Sequence, residues 1–317
     1  MDTSYKPKRG YLNKENIGTW RSAIMAEEME FGEREKDTKI VEPMQRILGS
    51  DTAALAFIAP YTPAKITPSK RISASINIPE ELGIEDAINE LKKENIQKLY
   101  LLLNTLGGGV SSSFKIARIL RETFTEITVF IPHIAASGGT LIALVGNKIV
   151  MGEMAHLSPI DVQIERNDRW YSVNAMIRSF GSLNELFRTT LEEDAPYPWK
   201  AMADKLDPIE YQDWVDASTL MKEHAKEILN HKNSSLKEDV DIIIDKLSTS
   251  YPTHDYSITI NEAEKILGDI IVSSQNYSEI FEIMRKWLRK YVLEESPIHI
   301  IRYILPKKGN EERNEKA

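Results

Sequence analysis

The stretch 98–163, KLYLLLNTLGGGVSSSFKIARILRETFTEITVFIPHIAASGGTLIALVGNKIVMGEMAHLSPIDVQ, decides the fold. It opens on a continuous apolar run at 98–103, the pattern of a strand covered on both faces. A glycine turn at 104–110 and a helical pattern at 111–124 follow. A second apolar run at 128–131 leads to Ser137, set among Ala135, Ala136, Gly138 and Gly139, at the start of another apolar helix over 139–145. Two strand-turn-helix units in succession, one rich in glycine and one carrying a serine, place backbone N–H groups beside a hydroxyl. Acyl transfer needs that combination, a nucleophile next to fixed donors for the developing oxyanion.

Upstream, 53–60 is a short apolar run and reads as a buried strand. Residues 71–78 alternate, with Ile72, Ala74, Ile76 and Ile78 on one face, so they read as another strand. Pro79 then starts a helix over 80–94, with Leu82, Ile84, Ala87, Ile88 and Leu91 at helical spacing. Strand, helix, strand, helix, strand, helix predicts an α/β fold, a mainly parallel sheet with helices on both faces and a helical C-terminal part. Downstream, 148–151 reads as a strand and 156–164 as extended, since Pro159 opposes a continuous helix. Helices are expected over 174–193, 208–230 and 235–247, with a proline-bearing loop at 194–207. A strand at 256–260 and a helical turn at 262–267 ending at Gly268 come next, then a helix at 276–294 and an apolar run at 298–305. The expected organisation is a polar arm at 1–50 with an amphipathic segment at 20–36, a catalytic domain at 51–273, an extension at 274–306 and a charged, disordered tail at 307–317.

The 317 residues suffice for a large core without covalent staples. Cysteine is absent, which excludes disulfides, thiolate metal sites and a cysteine nucleophile. A net charge of −8 argues against general nucleic-acid binding. The first eleven residues lack the apolar core of a secretory signal, and no apolar run reaches the roughly 20 residues of a membrane span. The expectation is a soluble cytoplasmic protein. His224 and His231 are seven residues apart, not the i, i+4 spacing of a shared ion, so neither a metal nor a cofactor is expected. The segment 277–291 interleaves Phe281, Trp287 and Tyr291 with Arg285, Lys286, Arg289 and Lys290. It reads as a solvated face over an apolar stripe, and leaves docking of a partner, a membrane surface or an acidic ligand open.

Read locally, each turn has an ordinary explanation. Gly107-Gly108-Gly109 forms a tight turn or a phosphate cradle, but no Gly-Lys-Ser/Thr follows, so it is not a Walker loop. Ser137 is a helix N-cap by type and position. Its small neighbours leave room for a substrate rather than filling space. The surroundings are not the G-x-S-x-G elbow, because position 135 is alanine.

Three segments together carry a resemblance: Asn104-Thr105-Leu106-Gly107-Gly108-Gly109-Val110, Ala136-Ser137-Gly138-Gly139-Thr140, and Leu157-Ser158-Pro159-Ile160-Asp161-Val162-Gln163. In this order and spacing they resemble the Clp protease/crotonase superfamily, and most closely the signal peptide peptidase A-like proteins called serine dehydrogenase proteinases. The resemblance covers roughly residues 50–270. It implies the Clp-like fold, a homo-oligomer and an ATP-independent serine peptidase acting on peptide or protein substrates. It makes Ser137 the nucleophile and the N–H groups of Gly108 and Gly138 the oxyanion donors, with Gly107, Gly109 and Asp161 lining the substrate site. Leu106 stands where peptidases of this group usually carry proline.

The resemblance leaves the general base open. Clp proteases place a histidine about two dozen residues after the serine, where this chain has Asp161. Signal peptide peptidases use a lysine ahead of a long helix, and Pro198-Trp199-Lys200 is the matching segment, with Trp199 as a desolvating wall. Lys205, His133 and His156 are the competitors. Asp161 in the site is expected to be hydrogen-bonded away from the lysine, and an extended peptide to add along a strand near 158–163. His254-Asp255 and Asn261-Glu262-Ala263 resemble a crotonase-type closing element, with no chemistry assigned. Two other functions fit the same fold: a crotonase-like enzyme acting on acyl thioesters, and a non-catalytic oligomeric scaffold.

Overall fold

A computed structural model describes residues 38–59, 65–67, 70–71, 75–166, 169–194, 197–205, 207–230, 236–293 and 300–307. The expected amphipathic segment at 20–36, residues 72–74 of the alternating run at 71–78 and nearly all of the charged tail lie outside these residues. The described rest of that run is not one strand: Arg71 ends a two-residue strand, Ile76 makes an isolated bridge to Gly108, and Ile78 opens a helix. By internal contacts the chain divides into residues 1–42 and 43–317.

In chain order, helix α1 (Thr38–Ile47) precedes strand β1 (Thr52–Ile58), and β2 (Lys65–Thr67) and β3 (Lys70–Arg71) form a short antiparallel pair. Helix α2 (Ile78–Lys93), β4 (Lys98–Asn104), α3 (Val110–Thr123), β5 (Glu126–Ile131), β6 (Ile134–Ala135), α4 (Gly138–Ala143), β7 (Lys148–Met151) and β8 (His156–Leu157) follow. Next come β9 (Gln163–Arg166), β10 (Arg169–Ser172), α5 (Val173–Arg188), α6 (Tyr197–Ala203), α7 (Pro208–Asn230) and α8 (Val240–Thr249). The chain closes with β11 (Ile258–Thr259), α9 (Ile260–Leu267), β12 (Ile271–Ser273), α10 (Ser278–Leu293) and β13 (Ile300–Ile304).

The main sheet has the order β12-β7-β5-β4-β1-β13. Every pairing in it is parallel except β13 on β1, which is antiparallel and covers the β1 edge. The apolar runs form its centre because both faces are covered: all seven residues of β1 are buried, as are Leu101, Leu102, Leu103 and Asn104. Helix α2 starts where Pro79 permits and where the Glu80 carboxylate accepts the Asn77 N–H at 2.7 Å. The observed architecture is the expected α/β fold.

A second, three-stranded sheet, β11-β8-β6, builds the site. Strand β6 runs parallel to β8, with Ile134 opposite His156 and Ala135 opposite Leu157. Strand β11 is antiparallel on the other side of β8. Both turns singled out in the sequence lie at the carboxyl ends of β4 and of β5-β6.

Several elements differ from expectation. Residues 156–164 are not one extended piece, because His156–Leu157 pairs in β8, Gln163 and Ile164 pair in β9, and the segment through Pro159 to Asp161 between them is buried irregular chain. The strand expected near 158–163 for peptide addition is therefore present only at its end, from Gln163. That end belongs to the hairpin β9-β10, unforeseen because Gln163–Arg166 and Arg169–Ser172 carry little apolar alternation. The expected loop at 194–207 contains α6, and the helix expected from 235 starts at Val240, where the Asp239 carboxylate accepts the Asp241 N–H at 2.8 Å.

Candidate active site

The two turns are laced together by backbone. Thr105 donates its N–H to Ile134 O (2.9 Å), and Ala136 donates to Thr105 O (3.0 Å). The Asn104 carboxamide oxygen accepts the Ile134 N–H at 3.2 Å, and Thr105 Oγ1 accepts the Gly107 N–H at 3.1 Å. On the far side of the glycine turn, Ile76 donates to Gly107 O (2.9 Å) and accepts from Gly109 N–H (2.8 Å). That parallel bridge is centred on Gly108, so its own N–H points the other way, towards the serine turn.

Only glycine fits at the contact. Gly107 has φ +89°, and a Cβ there would lie 2.4 Å from Ala136 O. A Cβ on Gly138 would lie 3.3 Å from Gly108 N and 2.2 Å from Ser113 Oγ, which shows how closely the two turns approach. Ser113 Oγ is the one buried side-chain polar atom without a partner among the described residues. The N–H groups of Gly108 and Gly138 have no acceptor among those residues either. Two adjacent free donors are the arrangement that stabilising an oxyanion requires.

Ser137 has φ 52° and ψ −117°, a conformation that costs a non-glycine residue about 1–3 kcal/mol. Three bonds hold it. Ser158 Oγ accepts the Ser137 N–H at 2.8 Å, and the Thr140 hydroxyl lies 2.7 Å from Ala135 O and 2.8 Å from Ser158 O. Thr140 Oγ1 also accepts the Ser158 N–H at 3.1 Å. Ser137 occupies the N-cap position of α4, yet its side chain makes no capping bond. No described residue bonds its Oγ, so the hydroxyl is left for other use. The ordinary N-cap explanation of this serine therefore does not account for its side chain.

Asp161 is 5% exposed, and both its oxygens are engaged. Oδ2 accepts the Ser172 hydroxyl at 2.5 Å, and Oδ1 lies 2.8 Å from His254 Nδ1. These bonds clamp the base of the β9-β10 hairpin to the turn before β11. His254 belongs to the segment for which the sequence suggested no chemistry. Its position 93 residues from Asp161 left no local signal of the pairing, beyond the His-Asp dipeptide ahead of a strand.

Lys200 is exposed on α6 and Lys205 is exposed in the turn that follows. His133 is exposed before β6, and its ring lies 6.2 Å from that of half-buried His156. Burial, and then the neighbouring His133, holds the His156 imidazole below the ordinary histidine range. None of the four bonds Ser137 Oγ. Among the described residues no three His, Cys, Asp or Glu side chains gather as a metal site, and no helix is long and apolar enough to cross a membrane.

Residues 75–179 match the family described as ClpP-like SDH-type serine proteinase, the segment that holds Gly107–Gly109, Ser137, Ser158 and Asp161. The resemblance seen in the three motifs is thus shown for that segment. Two proteins of Methanocaldococcus jannaschii, both named only as uncharacterized, are similar: MJ0137, 28% identical over 204 residues, and MJ1495, 26% identical over 255 residues. The first alignment covers 62% of this chain and 60% of the relative, the second 80% and 72%. Among solved structures, two mutants of the 1510-N membrane-bound stomatin-specific protease align at a TM-score of 0.42. A serine-to-alanine mutant is 14% identical, covering 66% of this chain and 79% of that one. A lysine-to-alanine mutant in complex with a substrate peptide is 15% identical, covering 65% and 74%.

Proposed function

We propose that this chain is a serine peptidase of the ClpP-like type. The reading is carried by one observation: Ser137, strained and with its hydroxyl unbonded, stands beside the two free N–H groups of Gly108 and Gly138. In this mechanism Ser137 Oγ attacks the scissile carbonyl carbon and its proton passes to a base. The carbonyl oxygen becomes an oxyanion held by Gly108 and Gly138. Collapse of the tetrahedral intermediate breaks the C–N bond, the protonated base gives its proton to the amine, and water then releases the acyl group from Ser137. Gly107 and Gly109 shape the floor under the substrate, and Asp161 orients its surroundings.

Lys200 is the proton acceptor in the Ser-Lys reading. It must be desolvated to work, so α6, exposed in the isolated chain, has to be covered by substrate or by a neighbouring copy. Exposed Leu191, Tyr197, Met202 and Ile209, on α6 and the chain to either side of it, support a homo-oligomer that would cover it. The buried Asp161–His254 contact favours a second reading, in which a carboxylate-oriented histidine serves the serine. Hydrolysis of quenched-fluorescent peptides separates the possibilities. Ser137→Ala should abolish turnover. Loss in Lys200→Ala with activity retained in His254→Gln supports the dyad, and the reverse supports the histidine. Full activity in Ser137→Ala removes the peptidase reading. The cysteine-free composition supports a cytoplasmic setting.

A further inference from the structure

Open parallel sheets bind ligands in the crevice beyond the carboxyl ends of their strands. Here the three adjacent strands β5, β7 and β12 end at a cleft of about 450 Å³, within the usual range of ligand pockets. Pro132 and His133 from the end of β5, Gly152, Glu153 and Met154 from the end of β7, and Ser274 after β12 form one wall. Helix α10 forms the other with Phe281, Arg285, Leu288 and Arg289. Gly152 keeps the floor low, since a Cβ there would lie 2.9 Å from Pro132 O and 3.3 Å from the Phe281 ring.

The charge of this cleft is lopsided. Arg285 and Arg289 are one helical turn apart, so they share a face of α10 with the apolar Phe281 and Leu288. Arg285 Nε donates to Phe281 O at 3.4 Å, leaving its terminal N–H₂ groups, and no described carboxylate pairs with either arginine. Glu153 is the single acidic side chain in the lining. A paired guanidinium site next to an apolar slot fits a carboxylate attached to an apolar group. An extended chain end offers both, and Glu153 and Ser274 supply partners for its backbone N–H. The wall continues through His133 and β6 into the serine turn, four residues on.

We propose that the cleft between α10 and the ends of β5 and β7 binds the free C-terminus of a peptide, its carboxylate on Arg285 and Arg289 and its last apolar side chain against Phe281 and Leu288. The site stands independently of the peptidase reading, because binding is read without turnover.

Fluorescence anisotropy tests it on the full chain carrying Ser137→Ala. The probe is fluorescein-labelled Gly-Ser-Gly-Glu-Leu-Leu with a free carboxylate, alongside the same peptide as its C-terminal amide. The free acid should bind, and the amide should bind at least tenfold more weakly. Arg285→Glu with Arg289→Glu should weaken the free acid at least tenfold without altering the melting temperature. Lys286→Glu, on the same helix but paired with Glu282 at 3.1 Å and outside the cleft, should leave binding unchanged. Absence of binding by the free acid, equal binding of acid and amide, or undiminished binding in the double variant overturns the proposal. Binding of laurate in place of the peptide also overturns it, and assigns the cleft to a fatty acid.

Discussion

The Ser158 hydroxyl oxygen accepts the backbone N–H of Ser137 at 2.8 Å, tying the strained serine to the chain just after β8. The Ser137 N–H is thereby used up, which leaves Gly108 and Gly138 as the donors without an acceptor among the described residues. Ser158 Oγ also contacts Pro159 O at 3.3 Å, so its orientation is set from the next residue. Ser158→Ala removes the acceptor that holds Ser137 in place. Leaving that N–H unpaired costs about 1–3 kcal/mol. We expect turnover of peptide substrates to fall about tenfold or more with a smaller change in KM, because the loss acts on the placement of Oγ. An unchanged turnover number in Ser158→Ala would count against this role.

Gly107 tolerates no side chain. Its φ of +89° and the 2.4 Å approach of a Cβ to Ala136 O mean that Gly107→Ala must push the two turns apart. Peptide turnover should vanish in this variant, and the melting temperature should fall. Retention of both would show that the turns are not held in contact as described.

Ser113→Ala is expected to go the other way. Its hydroxyl is fully buried and unpartnered, so deleting it removes a desolvation penalty without leaving any group unpaired. Urea denaturation should show stability equal to or up to about 1 kcal/mol above the wild type. A clear loss of stability would mean that the hydroxyl has a partner, such as a bound water, in solution.

Stability should also depend on two histidines. Burial lowers the pKa of His156 and of His224, whose ring stacks on Phe114 at 3.7 Å, below the ordinary value of 6.5. For such groups the unfolded chain takes up protons first. Their contribution is complete above about pH 6.5 and is lost as pH falls towards the lower folded values. Melting temperatures followed from pH 7.5 to 5 should therefore decline, and less steeply in His156→Gln and His224→Gln. Identical pH profiles for the wild type and both variants would contradict the assignment.

What the sequence disclosed follows from where its signals are local. The units from Lys98 to Met151 were legible because unbroken apolar runs and glycine punctuation define them without reference to distant partners. The pairing of Gly108 with Ser137 was legible for the same reason, as two turns one strand-helix unit apart. The Asp161–His254 contact was not, since it depends on β11 reaching β8 across the whole helical segment. The β9-β10 hairpin stayed hidden because exposed strands of mixed charge carry no period-2 apolar pattern. Helix α6 stayed hidden because Pro196 and Pro198, the second of them inside its first turn, read as loop. The local choice between cap and nucleophile for Ser137 turns on the direction of its side chain, and only coordinates show that.

The central claim is that Ser137 is an activated nucleophile facing an oxyanion hole. Incubation with a fluorophosphonate, followed by intact-mass and peptide-mapping mass spectrometry, tests it most directly. The account predicts one adduct per chain, located on Ser137 and absent from Ser137→Ala. Absence of any adduct on the folded wild-type protein, or its placement on another residue, contradicts the claim.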